Sequence, residues 1–129
     1  TWQDPSVSPA TTYAYRIYAF NPGGESGPSP VTTIRTLPAP AAPSGLAASG
    51  ATQTSLTVGW RDNSPNEYGF EVQFSTASTG PWYRSYTDPN VVTYQRTGLK
   101  AYTSYYFRVR AIREFPSAWS AVLAAKTTR

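Results

Sequence analysis

An antiparallel β-sandwich is the fold this sequence predicts, on three observations. Short segments rich in aromatic and β-branched residues alternate with clusters of Gly, Pro, Asn, Asp and Ser along the chain. Within those segments apolar and polar residues alternate with period two, and no segment carries a helical period. The phrase "TTYAYRIYAFN" at 11–21 returns as "TSYYFRVRAIR" at 103–113, a gapless match at a spacing of 92 residues. A phrase written twice is either a site used twice or one strand of a recurring domain, and the alternation favours the strand.

In chain order, the first strand phrase is 11–21 itself. A Pro-rich stretch, "TLPAPAAPSGL", follows, and its Pro38, Pro40 and Pro43 favour an extended, stiff joint. "SLTVGW" and "GFEVQF" then present Leu56, Val58 and Trp60, and Phe70, Val72 and Phe74, to one side. Their intervening Thr57, Glu71 and Gln73 face the other. "WYRSY" and "VVTYQ" are two further strands, and "YYFRVRAI" turns Tyr105, Phe107, Val109 and Ala111 inward while Arg108 and Arg110 point out. "AVLAAKT" closes the set. The repeat also aligns "TWQDPSV" (1–7) with "TYQRTGL" (93–99). After a one-residue shift it aligns Ser26, Ser29 and Val31 with Ser117, Ser120 and Val122. The repeating unit is therefore 91 to 92 residues, the length of one small sandwich. The expected organisation is the last strands of one domain at 1–38, a Pro/Ala linker at 39–43 and a complete domain at 44–129.

Composition narrows the chemistry. With 129 residues, a net charge of +4, 40% hydrophobic and 15% aromatic residues, the chain has the material for a packed core. Cys, His and Met are absent, which removes disulfides, thiol nucleophiles, imidazole bases and the usual transition-metal ligands together. Beginning "TWQDPSV" without an initiator Met, the sequence reads as an excised piece of a longer polypeptide.

These residues resemble the fibronectin type III family, whose late strands carry Leu-x-Pro-x-Thr-x-Tyr-x-aromatic-x-Val-x-Ala. That pattern is matched by Leu99, Ala101, Thr103, Tyr105, Phe107, Val109 and Ala111, and again by Val7, Pro9, Thr11, Tyr13, Tyr15, Ile17 and Ala19. A Pro-x-x-Leu opening (Pro43, Leu46), Trp60 and "DNSPNEYGFEV", which is similar to the bacterial branch, extend the likeness over the chain. Ala101 replaces the usual Pro, and "EFPSAWS" replaces the Gly-rich turn that "NPGGESGPS" keeps. The resemblance implies an immunoglobulin-like sandwich with Tyr105 and Tyr13 as tyrosine corners, and a secreted or cell-surface location. It also implies that Trp119 in "SAWS" is half of a Trp-Ser-x-Trp-Ser element on which arginines stack. Animal relatives can carry an Arg-Gly-Asp motif in the last loop; neither "EFPSA" nor "PGGESGP" contains it.

Weighing sites against this background leaves little room for catalysis. The acids are Asp4, Glu25, Asp62, Glu67, Glu71, Asp88 and Glu114. A glycosidase needs two carboxyls about 5–9.5 Å apart, whereas Glu67 and Glu71 on one strand would lie ~13 Å apart. Without His or Cys a serine nucleophile lacks its usual base. No catalytic residue, cofactor or metal is expected, and Asp62, Asn63, Asn66 and Glu67 read as an Asx-rich turn rather than a calcium loop. Arg61, Arg84, Arg96, Arg108, Arg110 and Arg113 invite a nucleic-acid reading, but cross-strand pairing with Glu71 and stacking on Trp119 give the late-strand arginines a local use. Nucleic acid and membrane insertion are not expected. Trp82, Tyr83 and Tyr86 form the best candidate contact surface, with Phe115 a second contact: aromatic faces in a row stack on sugar rings, and alternation places Trp82 on the same side as Arg84 and Tyr86, although in the family an aromatic on this strand often covers the edge of the core.

Three functions fit. The first is a non-catalytic tandem spacer and interaction module of a larger secreted or surface bacterial protein, such as a carbohydrate-active enzyme, touching its neighbouring domains. The second binds polysaccharide or a host-surface protein through the exposed aromatics. The third is a subunit of a fibre or phage tail, in which another chain covers the strip of Tyr13, Tyr15 and Ile17.

Overall fold

The computed structural model describes all residues from Thr1 to Arg129. It is all-β, with antiparallel sheets and no helix. Contacts divide the chain into two compact units, Thr1–Pro38 and Ala39–Arg129. Their strands are β1 (Thr12–Tyr15), β2 (Phe20–Asn21), β3 (Gly24–Glu25) and β4 (Thr32–Arg35) in the first unit. The second holds β5 (Ser44–Ser49), β6 (Leu56–Arg61), β7 (Gly69–Ser75), β8 (Tyr83–Thr87), β9 (Thr93–Arg96), β10 (Ser104–Ile112) and β11 (Leu123–Lys126).

In the second unit a three-stranded sheet, β5-β6-β9, faces a four-stranded sheet, β11-β10-β7-β8. Alternation dictates the core. Leu56, Val58 and Trp60 from β6 meet Phe70 and Val72 from β7 and Tyr105, Phe107, Val109 and Ala111 from β10, with Leu99 closing one end. Each large side chain removed from water contributes about 1.5–3 kcal/mol. Trp60 lies edge-on to Phe70, ring centres 5.4 Å apart. Phe74, in the same inward row, is only half-buried. It sits where the core meets the sheet margin, with the Arg96 guanidinium 4.2 Å above its ring. β7 begins at a glycine for a steric reason: Gly69 has φ 147°, and a Cβ there would stand 2.1 Å from the Thr87 carbonyl oxygen.

The chain enters and leaves this unit at opposite ends. β5 runs from Ser44, paired with Arg61, to Ser49, paired with Thr57. Just beyond its far end the Thr128 N–H donates to the Thr52 carbonyl (2.9 Å) and the Gln53 side chain donates to the Arg129 carbonyl (2.7 Å). β5, shortened by a register shift between Ser44 and Ala47, holds entry and exit roughly 15–20 Å apart. Pro40 and Pro43 are buried, and the Asn63 amide donates to the Ala42 carbonyl and the Ser44 hydroxyl, both at 2.9 Å.

The first unit pairs β1 with β4 and β2 with β3. Its hydrogen bonds repeat those of β10 and β11 residue by residue. The Ser8 N–H donates to the Tyr13 hydroxyl at 2.8 Å, as the Lys100 N–H donates to the Tyr105 hydroxyl at 3.0 Å. The Thr36 hydroxyl donates to the Ser8 carbonyl (2.6 Å), and Thr127 to that of Lys100 (2.7 Å). Ser26 and Ser29 hydroxyls accept the Ala19 and Ile17 N–H groups; Ser117 and Ser120 do the same for Ala111 and Val109. These hydroxyls satisfy strand-edge amides where the backbone ladder is interrupted. Burial differs sharply between the two units. Tyr13 and Tyr15 are half-buried, while Ile17, Ile34 and Trp2 remain 74%, 60% and 73% exposed. Trp2 packs edge-on against Tyr15 at 6.1 Å, and the Tyr15 hydroxyl donates to Asp4.

Candidate functional site

The outward face of the four-stranded sheet carries the densest polar and aromatic array. Register builds it: Glu71 and Gln73 on β7 stand opposite Arg110 and Arg108 on β10. Arg110 donates to one Glu71 oxygen through Nε (2.9 Å) and Nη2 (2.6 Å). The other Glu71 oxygen accepts from the Gln73 amide at 2.7 Å, and the Gln73 oxygen accepts both Nε and Nη2 of Arg108. Indoles interleave with this chain. Arg108 lies between Trp82 (4.3 Å) and Trp119 (4.2 Å), and Arg110 covers Trp119 at 4.4 Å. Glu71 is 2% exposed, so an unpaired carboxylate there would be costly and the doubly donating Arg110 is required. Burial between the two rings, and then the neighbouring Arg110, hold Arg108 below the ordinary arginine pKa.

The expected aromatic row divides between two faces. β8 pairs with β7 so that Arg84 faces Gln73 and Tyr86 faces Glu71, which puts both on the outward side with Trp82. Tyr83 stands opposite Phe74 and stacks on its ring at 5.5 Å on the inward side, leaving 61% of itself exposed at the margin. A strand alternates, so adjacent aromatics never share a face. One face of Trp82 is covered by Arg108, and Phe115 is half-buried in the last loop. Sequence reasoning missed Gln73 as the relay between Glu71 and Arg108. The usable signal was its register opposite Arg108.

At one end of the sandwich, the Ser64 N–H donates to Asp62 (2.9 Å), an Asx turn, and the Asn90 N–H donates to the buried Glu67 (3.2 Å). No group of three or more acidic side chains there or elsewhere converges as a metal site. Across the same end the Tyr68 hydroxyl donates to Glu114, which also pairs with Arg113 at 3.0 Å. The Glu114 carboxyl is thereby held below its usual range, chiefly by the Tyr68 hydrogen bond. Of the arginines noted in the sequence, Arg61 and Arg84 are exposed and the others lie in stacks or ion pairs.

A three-stranded sheet packed on a four-stranded one, with a tyrosine hydroxyl tying the approach to the penultimate strand, defines the immunoglobulin-like class of sandwich. Within that class the chain belongs to the fibronectin type III family: the Fibronectin type III domain profile matches residues 41–126. Exoglucanase B of Cellulomonas fimi is 32% identical over 117 residues, covering 86% of this chain and 11% of the exoglucanase. The chain thus spans a small part of that relative. Among solved structures, the chicken CNTN1 FN1–FN3 domains superpose with a TM-score of 0.71 at 20% identity, over 99% of this chain and 46% of that one. A Fn3-like protein from Clostridium thermocellum matches with a TM-score of 0.59 at 28% identity, over 70% of this chain and 96% of that one.

Proposed function

We propose that this chain is a non-catalytic tandem fibronectin type III spacer from a larger secreted or surface bacterial protein, one that acts on polysaccharide. The observation that carries the reading is the placement of entry and exit at opposite ends of Ala39–Arg129, held there by Thr52, Gln53 and Arg129. A module threaded end to end separates what is attached to each side, whereas one with adjacent termini would hang from its parent as a side branch. Residues 1–38 are, on this reading, the last third of a preceding copy. The paired hydrogen bonds of Tyr13 and Tyr105, and of Thr36 and Thr127, support that. The similarity to Exoglucanase B supports a carbohydrate-active parent.

The structural roles fall to Trp60, Tyr105 and Tyr13 within the layers, and to Arg108, Arg110 and Trp119 on the outward face. Sugar binding by Trp82, Tyr83 and Tyr86 is disfavoured because the three do not share a plane and Arg108 occupies one face of Trp82. Affinity electrophoresis through gels containing soluble cellulose, xylan and mixed-linkage glucan tests the spacer reading. Unchanged mobility with each polymer is expected. Retardation by any of them, abolished in Tyr86→Ala, would replace the spacer with a polysaccharide-binding module.

A further inference from the structure

The turn before β10 carries a side chain at odds with its backbone. Tyr102 has φ 51°, in the left-handed region, where a bulky residue is an outlier and Asn or Gly sits with less strain. The turn itself demands that conformation. Ala10, 92 positions earlier, has φ 52°, and its N–H donates to the Leu37 carbonyl (3.1 Å) as the Tyr102 N–H donates to that of Thr128 (2.9 Å). The backbone is the same in both units, so the aromatic ring is an addition made in the second, and a strained residue that is kept points to a use for its side chain.

The contacts of the ring show that use. Lys126 Nζ lies 3.4 Å from the ring centre and the Arg129 guanidinium 4.6 Å from it, and Arg129 Nη2 donates to the Tyr102 hydroxyl at 3.2 Å. Neither cation pairs with a carboxylate, so the ring is their shared partner. Between them run the residues by which the chain leaves β11. Thr127 is buried, the Thr128 N–H donates to Thr52, and the Arg129 carbonyl accepts from Gln53. At the corresponding place in the first unit Arg35 stands for Lys126 and Pro38 for Arg129, and the chain runs on through Pro38 and Pro40, whose rings restrict the backbone by themselves. The stretch Lys126 to Arg129 has no proline to do this.

We propose that Tyr102 is a clasp on the chain leaving the larger sandwich: by holding Lys126 and Arg129 on one ring it fixes the course of the exit segment, doing with a side chain what prolines do after the first unit. The inference rests on the spacer reading and adds to it the device that a spacer requires. A module keeps its neighbours at a set distance only where the chain leaves it in a set direction.

Amide relaxation measured by NMR on the full chain is the test. The Arg129 order parameter should lie above about 0.6, the upper limit of flexible backbone, in the wild type and fall below it in Tyr102→Asn. Asn accepts the left-handed conformation, and Tyr102 is 53% exposed, so this variant should keep or raise the thermal midpoint; the loss of order is then separate from any loss of fold. Tyr102→Phe retains the ring beneath both cations, gives up only the 3.2 Å bond, and should keep Arg129 ordered. Equal order at Arg129 in the wild type and Tyr102→Asn would overturn the proposal, leaving Thr52 and Gln53 as the whole restraint. An Arg129 order parameter below about 0.6 in the wild type would overturn it as well. Neither result bears on mobility through polysaccharide gels, so the clasp and the spacer reading fail by different measurements.

Discussion

Replacing Tyr105 by Phe removes one oxygen and leaves the buried ring in place. The Lys100 N–H, which donates to that oxygen at 3.0 Å, then has no partner in a part-buried position. An orphaned buried donor costs about 1–3 kcal/mol, and partial access to water puts this one near the middle, at about 1.5 kcal/mol. With m of ~1 kcal/mol/M in urea for a domain of this size, the unfolding midpoint should drop by about 1.5 M. The thermal midpoint should fall by about 6–12 °C. Tryptophan fluorescence reports the transition, because Trp60 is 6% exposed and enters water on unfolding. The same substitution at Tyr13 is the control. Its Ser8 N–H bond is exposed, so water takes over and the transition should move by no more than about 0.5 kcal/mol. Equal effects at the two positions, or no effect at Tyr105, would refute the reasoning that burial rather than the bond itself gives the corner its value.

Three further substitutions follow from the geometry. Arg110→Met should destabilise by about 2–3 kcal/mol in urea unfolding, because it strands the 2%-exposed Glu71 carboxylate; the 27% exposure of Arg110 keeps the loss below that of a fully buried pair. Gly69→Ala should cost at least ~2 kcal/mol by calorimetry, since the new Cβ meets the Thr87 carbonyl at a φ of 147°. Tyr68→Phe should lower stability in a pH-dependent way. A carboxyl whose folded pKa is depressed favours the folded state above its unfolded pKa and loses that contribution as pH falls through the folded value. The stability gap between wild type and Tyr68→Phe should be full at neutral pH and close as pH drops below the ordinary Glu114 value of 4.5. A gap unchanged at about pH 3 contradicts the assignment.

Alternation made the core legible. Leu56, Val58, Trp60, Phe70, Val72, Tyr105, Phe107, Val109 and Ala111 are buried, as a period of two requires, and Leu99 completes the set from outside the strands. Phe74 fits the same period yet reaches the sheet margin, a matter of where the opposing layer ends, which no strand records about itself. Arg108, Arg110 and Trp119 could be grouped through the resemblance of "SAWS" to half of a Trp-Ser-x-Trp-Ser element, but the indole of Trp82 beneath Arg108 comes from a distant segment and depends on the turn preceding β8. Alternation already set Trp82, Arg84 and Tyr86 on one side of their strand and Tyr83 on the other, but not which side met the core. Register against Phe74 and Glu71 decides it. The paired serines Ser26 and Ser29, and Ser117 and Ser120, aligned in sequence before their purpose was visible. The fold brings their hydroxyls to the amides of the preceding strand.

Native-state amide hydrogen exchange across all 129 residues tests the central claim most directly, that the unit Ala39–Arg129 closes a buried core between two sheets while the unit Thr1–Pro38 leaves Trp2, Ile17 and Ile34 exposed. Amides of β6, β7 and β10 should exchange only through global unfolding, with one shared free energy, while those of β1 and β4 open at far lower cost. Protection of β1 equal to that of β10 would show that residues 1–38 are stabilised as fully as the larger unit, and the account would fail.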